Sequence, residues 1–221
     1  GFNLETVIFS IDDFYKTRRE RKKMAKEINP LFLTRGVPGT HDTRMLHSCI
    51  KNLKKKNFTK IMIPKFDKSA DDRFPKSKWI RIYKKPDIVI FEGWCVGAKP
   101  QKKKYLNMPV NELEKKKDKN KTWRKQVNLE LQKNYQKIFK LINKLIFLKV
   151  PSFKYVFKWR LLQEKKLEIL SKKKTMSHRQ INNFIMYYER LTKHMLKTLP
   201  KNANAVVNID KKHRLQSIKL N

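Results

Sequence analysis

The feature that most constrains the fold of this chain is the run Asp87-Ile-Val-Ile-Phe91, which is apolar at every position after the aspartate. Successive side chains of a strand point to opposite faces, so a strand with this pattern presents apolar residues on both faces. Parallel strands that are covered by helices on both sides have this pattern, whereas antiparallel strands commonly alternate apolar and polar residues. The run therefore predicts a buried parallel strand, and with it an α/β fold.

The rest of the chain alternates β-rich runs with helical patterns, as an α/β protein does. Capping boxes at Thr17-Arg-Arg-Glu20 and Ser177-His-Arg-Gln180 predict the starts of two helices, which end near residues 28 and 199. Other helices are predicted at about 42–56, 123–143 and 151–170, and strands at 7–11, 61–63, 145–150 and 205–209. No repeat and no Gly/Ser/Pro-rich linker divides the chain.

The chain is strongly basic, with 55 Lys and Arg residues against 19 Asp and Glu and a formal net charge of +36. Such a charge is typical of nucleic-acid-binding proteins. However, 43 of the basic residues are Lys and only 12 are Arg, the residue that most often contacts base edges. The lysines occur on every segment and form no single stripe. We therefore expect no specific nucleic-acid partner, with a basic nucleic-acid-binding protein as the alternative.

Other classes are excluded by further features of the sequence. No apolar run approaches the ~20 residues of a membrane-spanning helix, and no secretory signal pattern is present. Cys49 and Cys95 lie far apart, so neither a disulfide scaffold nor a Cys-rich zinc site is expected. We expect a cytoplasmic protein without a membrane partner.

Glycines and carboxylates, both scarce, concentrate in a few loops. Four of the five glycines fall in two loops, at residues 35–42 and 91–97. Asp12, Asp13 and Glu92 follow predicted strands, and ligands of open α/β sheets bind outside the carboxyl ends of strands. Such carboxylates suit Mg²⁺, which keeps waters and phosphate oxygens as further ligands. The sequence favours a site at this edge of the sheet, although ordinary turns and helix capping by Asp13 are the alternative interpretation.

Several motifs resemble the D-glycerate 3-kinase family of P-loop kinases, which are of the uridine kinase and phosphoribulokinase type. They are Ser10-Ile-Asp-Asp-Phe-Tyr15, Arg35-Gly-Val-Pro-Gly-Thr-His-Asp42, Pro64-Lys-Phe-Asp-Lys-Ser-Ala-Asp-Asp-Arg73, Phe91-Glu-Gly-Trp94, Trp159-Arg-Leu-Leu-Gln-Glu164 and Tyr188-Glu-Arg-Leu191. The resemblance implies a three-layer α/β P-loop kinase with a parallel sheet. It also implies a single domain over residues 1–221, with a helical lid and the C-terminal helices at 151–200.

The chain departs from the family in one respect, since it contains no Gly-x-x-x-x-Gly-Lys-[Ser/Thr] phosphate loop. In the family that loop precedes the strand that leads into Ser10. We therefore expect a sequence truncated before this strand and a sheet that lacks its central first strand. Residues 7–11 should then pair with 87–91, residues 145–150 with 205–209, and the fragment should be inactive.

The resemblance also implies the chemistry, which is transfer of the ATP γ-phosphoryl group to D-glycerate, giving 3-phosphoglycerate with Mg²⁺ as cofactor. A related kinase for another small hydroxylated substrate is the alternative. Asp12 is expected to be the catalytic base and, with Glu92, a metal ligand. The lid cations Lys158 and Arg160 are expected to bind ATP, with Arg160 also catalytic, although solvated helix charges are the alternative. The substrate-binding residues implied are Tyr15, Arg35, His41, Lys65, Asp67 and Arg73, although His41 could instead contact only backbone.

Overall fold

The structure is a computed structural model that describes residues 2–171 and 176–221. It contains both strands and helices throughout the chain, as the sequence predicts for an α/β protein. In chain order they are β1 (Thr6–Ser10), α1 (Arg18–Glu27), α2 (Thr43–Leu53), β2 (Ile61–Ile63), β3 (Phe66–Asp67), β4 (Asp72–Arg73), β5 (Ile80–Ile82), β6 (Ile88–Glu92), α3 (Glu112–Lys117), α4 (Thr122–Glu130), α5 (Gln136–Phe139), β7 (Ile146–Lys149), α6 (Lys154–Ser171), α7 (His178–Thr198), β8 (Ala205–Ile209) and β9 (Leu215–Leu220).

The chain divides into two compact units. The first combines Gly1–Val96 with Thr122–Asn143, and the second combines Gly97–Lys121 with Lys144–Asn221. The expectation of a single domain over residues 1–221 stays a prediction.

The first unit contains the predicted parallel pair of β1 and β6. Thr6 lies opposite Ile88 and Ser10 lies opposite Glu92, so the two strands are in register and end side by side. The rings of Phe9 and Phe91 pack across the pair with centroids 5.3 Å apart. The expected pairing of residues 7–11 with 87–91 is confirmed, and both strands are displaced by one residue from the predicted bounds.

One face of this pair is exposed, contrary to the burial expected from the apolar run. The exposed fractions are 61% for Ile8, 41% for Ile88 and 46% for Ile90. These side chains share a face because Ile8 lies opposite Ile90 and the side chains of a strand alternate. The sequence pattern shows that both faces are apolar, but it carries no information about which of them is covered by neighbouring elements.

The helices of the first unit begin where the sequence predicts. Thr17 and Glu20 form the expected capping box at the start of α1, and Asp42 caps α2 through a hydrogen bond from the backbone N–H of Met45. A single π-helical turn, Leu131–Tyr135, joins α4 to α5. Turns of this kind are rare and often occur at functional sites.

The second unit is built on the parallel pair of β7 and β8, in which Ile146 lies opposite Ala205. This confirms the second predicted pairing. The strand β9 was not predicted, and it pairs antiparallel with β8 at the edge of the sheet. Its six residues are all exposed, so its sequence lacks the buried face from which a strand is recognised.

A buried ion pair holds the helices of the second unit together. The guanidinium of Arg190 on α7 lies 2.6 Å from the carboxylate of Glu114 on α3, and it also donates to the carbonyl groups of Tyr105 and Met108. Ser177 and Gln180 form the predicted capping box at the start of α7. Among the described residues, no helix is both long and apolar enough to cross a membrane.

Candidate active site

The site is centred on Asp12, which follows β1 in the short 3₁₀ turn Ile11–Phe14. Ser10 fixes this turn, since its hydroxyl accepts the backbone N–H of Asp12 at 3.2 Å. The carboxylate of Asp13 turns back and accepts the backbone N–H of Ser10 at 3.3 Å, as a capping residue does. Since Ser10 lies opposite Glu92, the turn brings Asp12 to the edge of the sheet where β6 ends.

The chain requires glycine at position 93, directly after Glu92. A Cβ atom at this position would lie 2.3 Å from Cγ2 of Ile11, far inside van der Waals contact. Only glycine allows the two loops that follow β1 and β6 to approach so closely. This supports the prediction that glycines mark the edge of the sheet where the site lies.

Both carboxylate oxygens of Asp12 have partners. The hydroxyl of Tyr15 donates to Oδ1 at 2.8 Å, and the ammonium group of Lys68 lies 2.9 Å from Oδ2. These contacts fix the orientation of the carboxylate. Lys68 was not among the predicted site residues, although it lies inside the distinctive stretch at 64–73.

A stacked aromatic pair lies next to this carboxylate. The ring of Tyr15 is stacked on the imidazole of His41, with centroids 4.5 Å apart and planes inclined by 20°. On its other side, Nδ1 of His41 lies 2.6 Å from the hydroxyl of Tyr135. Burial lowers the pKa of His41 to about 3, so the imidazole is neutral at physiological pH. Tyr135 was also not predicted as a site residue, because a tyrosine on a helical pattern indicates no more than a core position.

Arg35, a predicted substrate-binding residue, forms an ion pair with Asp71. The carboxylate of Asp71 also lies 2.9 Å from the guanidinium of Arg21, which is fully buried. The guanidinium of Arg35 lies over the ring of Phe66, 5.5 Å from its centroid. The two loops that carry the predicted substrate-binding residues are therefore joined by a network of two arginines around one aspartate.

Arg73 and Lys65, the other predicted cations, also contact groups of the protein. Arg73 donates to the backbone carbonyl of Tyr15 at 2.8 Å, and its guanidinium lies 3.6 Å from the carboxylate of Asp42. The ammonium group of Lys65 lies 3.3 Å from the carboxylate of Asp13. The structure brings these residues to the surroundings of Asp12, and their contact with substrate stays a prediction.

Asp67 organises its own loop. Its Oδ1 atom accepts the hydroxyl and the backbone N–H of Ser69 and the backbone N–H of Ala70. The hydrogen bonds from the Ser69 hydroxyl and the Ala70 backbone lower the pKa of Asp67. The carboxylate therefore orders the turn that presents Lys68 to Asp12, and its predicted contact with substrate stays untested.

Glu92 is exposed at the end of β6. Within residues 2–171 and 176–221, its carboxylate has no hydrogen bond or ion pair. No group of three His, Cys, Asp or Glu residues that could hold a metal ion occurs in the same part of the chain. Mg²⁺ needs only one or two protein carboxylates when phosphate and water supply its other ligands. Carboxylates at the ends of β1 and β6 are the type of ligand that such an ion takes, and binding of Mg²⁺ by Asp12 and Glu92 stays a prediction.

The predicted lid cations belong to the second unit. Arg160 on α6 forms an ion pair with Glu164 and donates to Gln163 at 2.7 Å, and its guanidinium lies over the ring of Phe184, 5.3 Å from the centroid. Lys158 lies over the ring of Tyr155 at 5.8 Å. Contacts within the second unit therefore account for the observed position of Arg160, and the ATP-binding role of both cations stays a prediction.

Comparisons with known proteins identify relatives over most of the chain. It is 34% identical over 194 residues to an uncharacterised kinase of Schizosaccharomyces pombe, an alignment that covers 84% of this chain and 68% of that protein. It is 28% identical over 203 residues to the chloroplastic D-glycerate 3-kinase of Arabidopsis thaliana, covering 88% of this chain and 42% of that protein. The chain therefore spans less than half the length of the second relative. No protein-family model matches it.

The fold is similar to that of a solved D-glycerate 3-kinase from Cryptococcus neoformans var. grubii. The TM-score is 0.84 with 22% sequence identity, and the alignment covers all of this chain and 81% of the other. This likeness confirms the predicted α/β fold of P-loop kinases.

Proposed function

This chain belongs to the D-glycerate 3-kinase family of P-loop kinases, which are ATP-dependent phosphotransferases, and on this premise we propose that it phosphorylates D-glycerate to 3-phosphoglycerate. The observation that carries the proposal is the carboxylate of Asp12 at the end of β1. It is held between Tyr15 and Lys68 beside a strand that ends in Glu92. Assignment of the protein to the cytoplasm stays a prediction.

Phosphoryl transfer needs an aligned hydroxyl and a group that accepts its proton. In the proposed reaction, Asp12 accepts the proton of the D-glycerate hydroxyl as the hydroxyl oxygen forms its bond to the γ-phosphorus. The bond from that phosphorus to the bridging oxygen breaks, and ADP leaves. Tyr15 and Lys68 hold the two carboxylate oxygens of Asp12, which orients the base before the substrate binds.

The carboxylate of D-glycerate requires cations near Asp12. Lys68 is suited to this role because its side chain is 63% exposed and its single carboxylate contact is with Asp12 itself. Three other cations lie in the loops at residues 35–42 and 64–73, namely Arg35, Lys65 and Arg73. Each of them also contacts a carboxylate of the protein. We assign the substrate carboxylate to this group of cations, with Tyr15, His41 and Asp67 forming the polar wall.

Asp12 and Glu92 are the residues that would hold Mg²⁺. When bound, Mg²⁺ neutralises charge on the β- and γ-phosphates. Lys158 and Arg160 are proposed to stabilise the transferred phosphoryl group.

The test is an assay of ADP release and of product identity with a panel of small hydroxylated acceptors. D-glycerate, L-glycerate, glycerol and uridine are compared at matched concentrations. The assay uses the 221-residue chain and a form of the protein that carries a Gly-x-x-x-x-Gly-Lys-[Ser/Thr] loop ahead of β1. Because the 221 residues contain no such loop, we expect turnover of D-glycerate only from the second form.

The controls separate the parts of the proposal. Glycerol lacks the carboxylate, so we expect a lower kcat/KM for it than for D-glycerate. Turnover of uridine or glycerol without turnover of D-glycerate would contradict the assigned substrate and would support the related kinase alternative. Turnover by the 221-residue chain alone would contradict the expected inactivity.

A further inference from the structure

The hydrogen bonds of Tyr135 and His41 determine the position of the imidazole proton. Both side chains are buried, with exposed fractions of 0% and 1%. The phenol oxygen accepts the backbone N–H of Gly39 at 2.9 Å, and it lies 2.6 Å from Nδ1 of His41. Nδ1 of His41 is the one acceptor that the described residues offer to the phenol proton.

Counting unsatisfied groups distinguishes the two neutral tautomers of His41. If Nδ1 carried the proton, the phenol hydrogen and the lone pair of Nε2 would both lack partners. If Nε2 carries it, Tyr135 donates to Nδ1 and only the Nε2 proton lacks an acceptor among residues 2–171 and 176–221. Because an unsatisfied buried polar group costs about 1–3 kcal/mol, the Nε2 tautomer is favoured. Such a buried donor is the kind of group that a bound ligand or internal water satisfies.

Two further contacts connect the pair of Tyr135 and His41 to Asp12, the proposed base. The imidazole of His41 is stacked on Tyr15, and the hydroxyl of Tyr15 donates to Asp12 at 2.8 Å. Gly39, whose N–H binds the phenol, has φ +104°, and a Cβ atom there would lie 3.2 Å from the Glu130 side chain and 3.3 Å from Phe32. Glycine is therefore required at this position.

Tyr135 lies in the π-helical turn between α4 and α5. A π turn costs backbone stability and persists where it serves a local need, often at a functional site. Here the turn contains the residue whose hydroxyl contacts Gly39 and His41.

We propose that Tyr135 is a positioning residue of this site. It fixes His41 as the Nε2-protonated tautomer and, through the stacked ring of Tyr15, holds the carboxylate of Asp12 in the orientation that accepts the substrate proton. The catalytic part of this inference rests on the proposed function, whereas the tautomer does not.

The tautomer is tested in the 221-residue chain by ¹⁵N NMR of labelled histidine. We expect the His41 signals to show a proton on Nε2 and a bare Nδ1 between about pH 5 and pH 8. Tyr135→Phe keeps the ring but removes the donor, so its spectrum should show the other tautomer or a mixture. Tyr83→Phe is the matched control, because it removes a hydroxyl from an exposed position of the same unit. A proton on Nδ1 in the unmodified chain overturns the proposal.

The positioning role is tested by kinetics in the form of the protein that carries the phosphate loop. Tyr135→Phe should lower kcat by about tenfold or more while KM for ATP stays unchanged, because a displaced base impairs the chemical step. Tyr15→Phe should lower kcat similarly but leave the His41 tautomer intact, because it removes the hydroxyl that contacts Asp12 and keeps the ring that stacks on His41. The Tyr15→Phe variant therefore tests the same connection from His41 to Asp12 if the Tyr135→Phe variant does not fold.

A purely structural role for Tyr135 would lower the melting temperature and leave kcat per folded molecule equal to that of Tyr83→Phe. That result overturns the proposal. Failure of the unmodified enzyme to phosphorylate D-glycerate would instead contradict the proposed function, and the histidine spectrum would still decide whether Tyr135 fixes the tautomer.

Discussion

The ammonium group of Lys68 lies 2.9 Å from Oδ2 of Asp12, on a side chain that is 63% exposed. An exposed ion pair contributes little to stability because solvent screens it. In the proposed reaction, this ion pair places a positive charge beside the carboxylate that receives an anionic substrate.

Replacing this cation should weaken substrate binding. We expect Lys68→Gln to raise KM for D-glycerate by about threefold to tenfold, because Asp12 then repels the substrate carboxylate. The difference should shrink as ionic strength rises. Lys84→Gln is the control, since Lys84 pairs with Glu5 at 3.5 Å on an exposed surface. Steady-state kinetics in the form that carries the phosphate loop measure both, and equal KM values for the two variants would contradict the role.

The two neighbouring aspartates should behave differently. Asp12→Asn should lower kcat by about 100-fold or more with a smaller change in KM, since the proton transfer belongs to the transition state. Asp13→Asn should have a much smaller effect, because an amide oxygen can still accept the N–H of Ser10. If Asp13→Asn lost activity while Asp12→Asn kept it, the base would be Asp13.

Stability of the second unit should depend on the buried ion pair of Glu114 and Arg190. Glu114→Ala leaves the Arg190 charge without its carboxylate, which should cost about 3–5 kcal/mol of unfolding free energy. Glu112→Ala on the same helix removes exposed ion pairs with Lys115 and Lys116, and it should cost at most about 0.5 kcal/mol. Urea denaturation of the two variants measures the difference. Similar midpoints would contradict a stabilising role for the ion pair of Glu114 and Arg190.

Acid should destabilise the protein through His41. Burial lowers the pKa of this residue to about 3, so the unfolded chain binds a proton below about pH 6.5 that the folded chain does not bind. Its contribution is therefore fully present above pH 6.5 and is lost as the pH falls, by about 2 kcal/mol between pH 7 and pH 5.

Urea denaturation at the two pH values checks this dependence. His41→Gln should lose less stability on acidification than the unmodified chain does. His47→Gln, at a half-buried position on α2, is the matched control. A His41→Gln variant with unchanged pH dependence would show that the imidazole is not buried in its neutral form.

Much of the architecture could be predicted because it depends on local patterns. The capping boxes at Thr17 and Ser177 mark the first turns of α1 and α7, since each satisfies backbone N–H groups within four residues. The motif at Ser10 and the carboxylate at Glu92 also indicated which strand ends meet, because parallel strands end at the same edge. These relationships depend only on residues that lie close together in the sequence, or on the general geometry of an α/β sheet.

Partners that lie far apart in sequence could not be predicted in the same way. The contact of Tyr135 with His41 spans 94 residues and that of Lys68 with Asp12 spans 56. A lysine among many lysines, or a tyrosine on a helical pattern, carries no local mark of such a partner. The exposed face of β1 and β6 was missed for a related reason, since burial depends on which element packs there.

The sequence by itself therefore determined the α/β class, the starts of the capped helices, the family, and Asp12 and Glu92 at the ends of neighbouring strands. Only the tertiary structure decided which groups hold Asp12, and that Arg35 and Arg73 face carboxylates of the protein. The physical reason is that local propensity acts over a few residues, whereas a hydrogen bond needs two groups brought within about 3 Å by the packing of the whole unit.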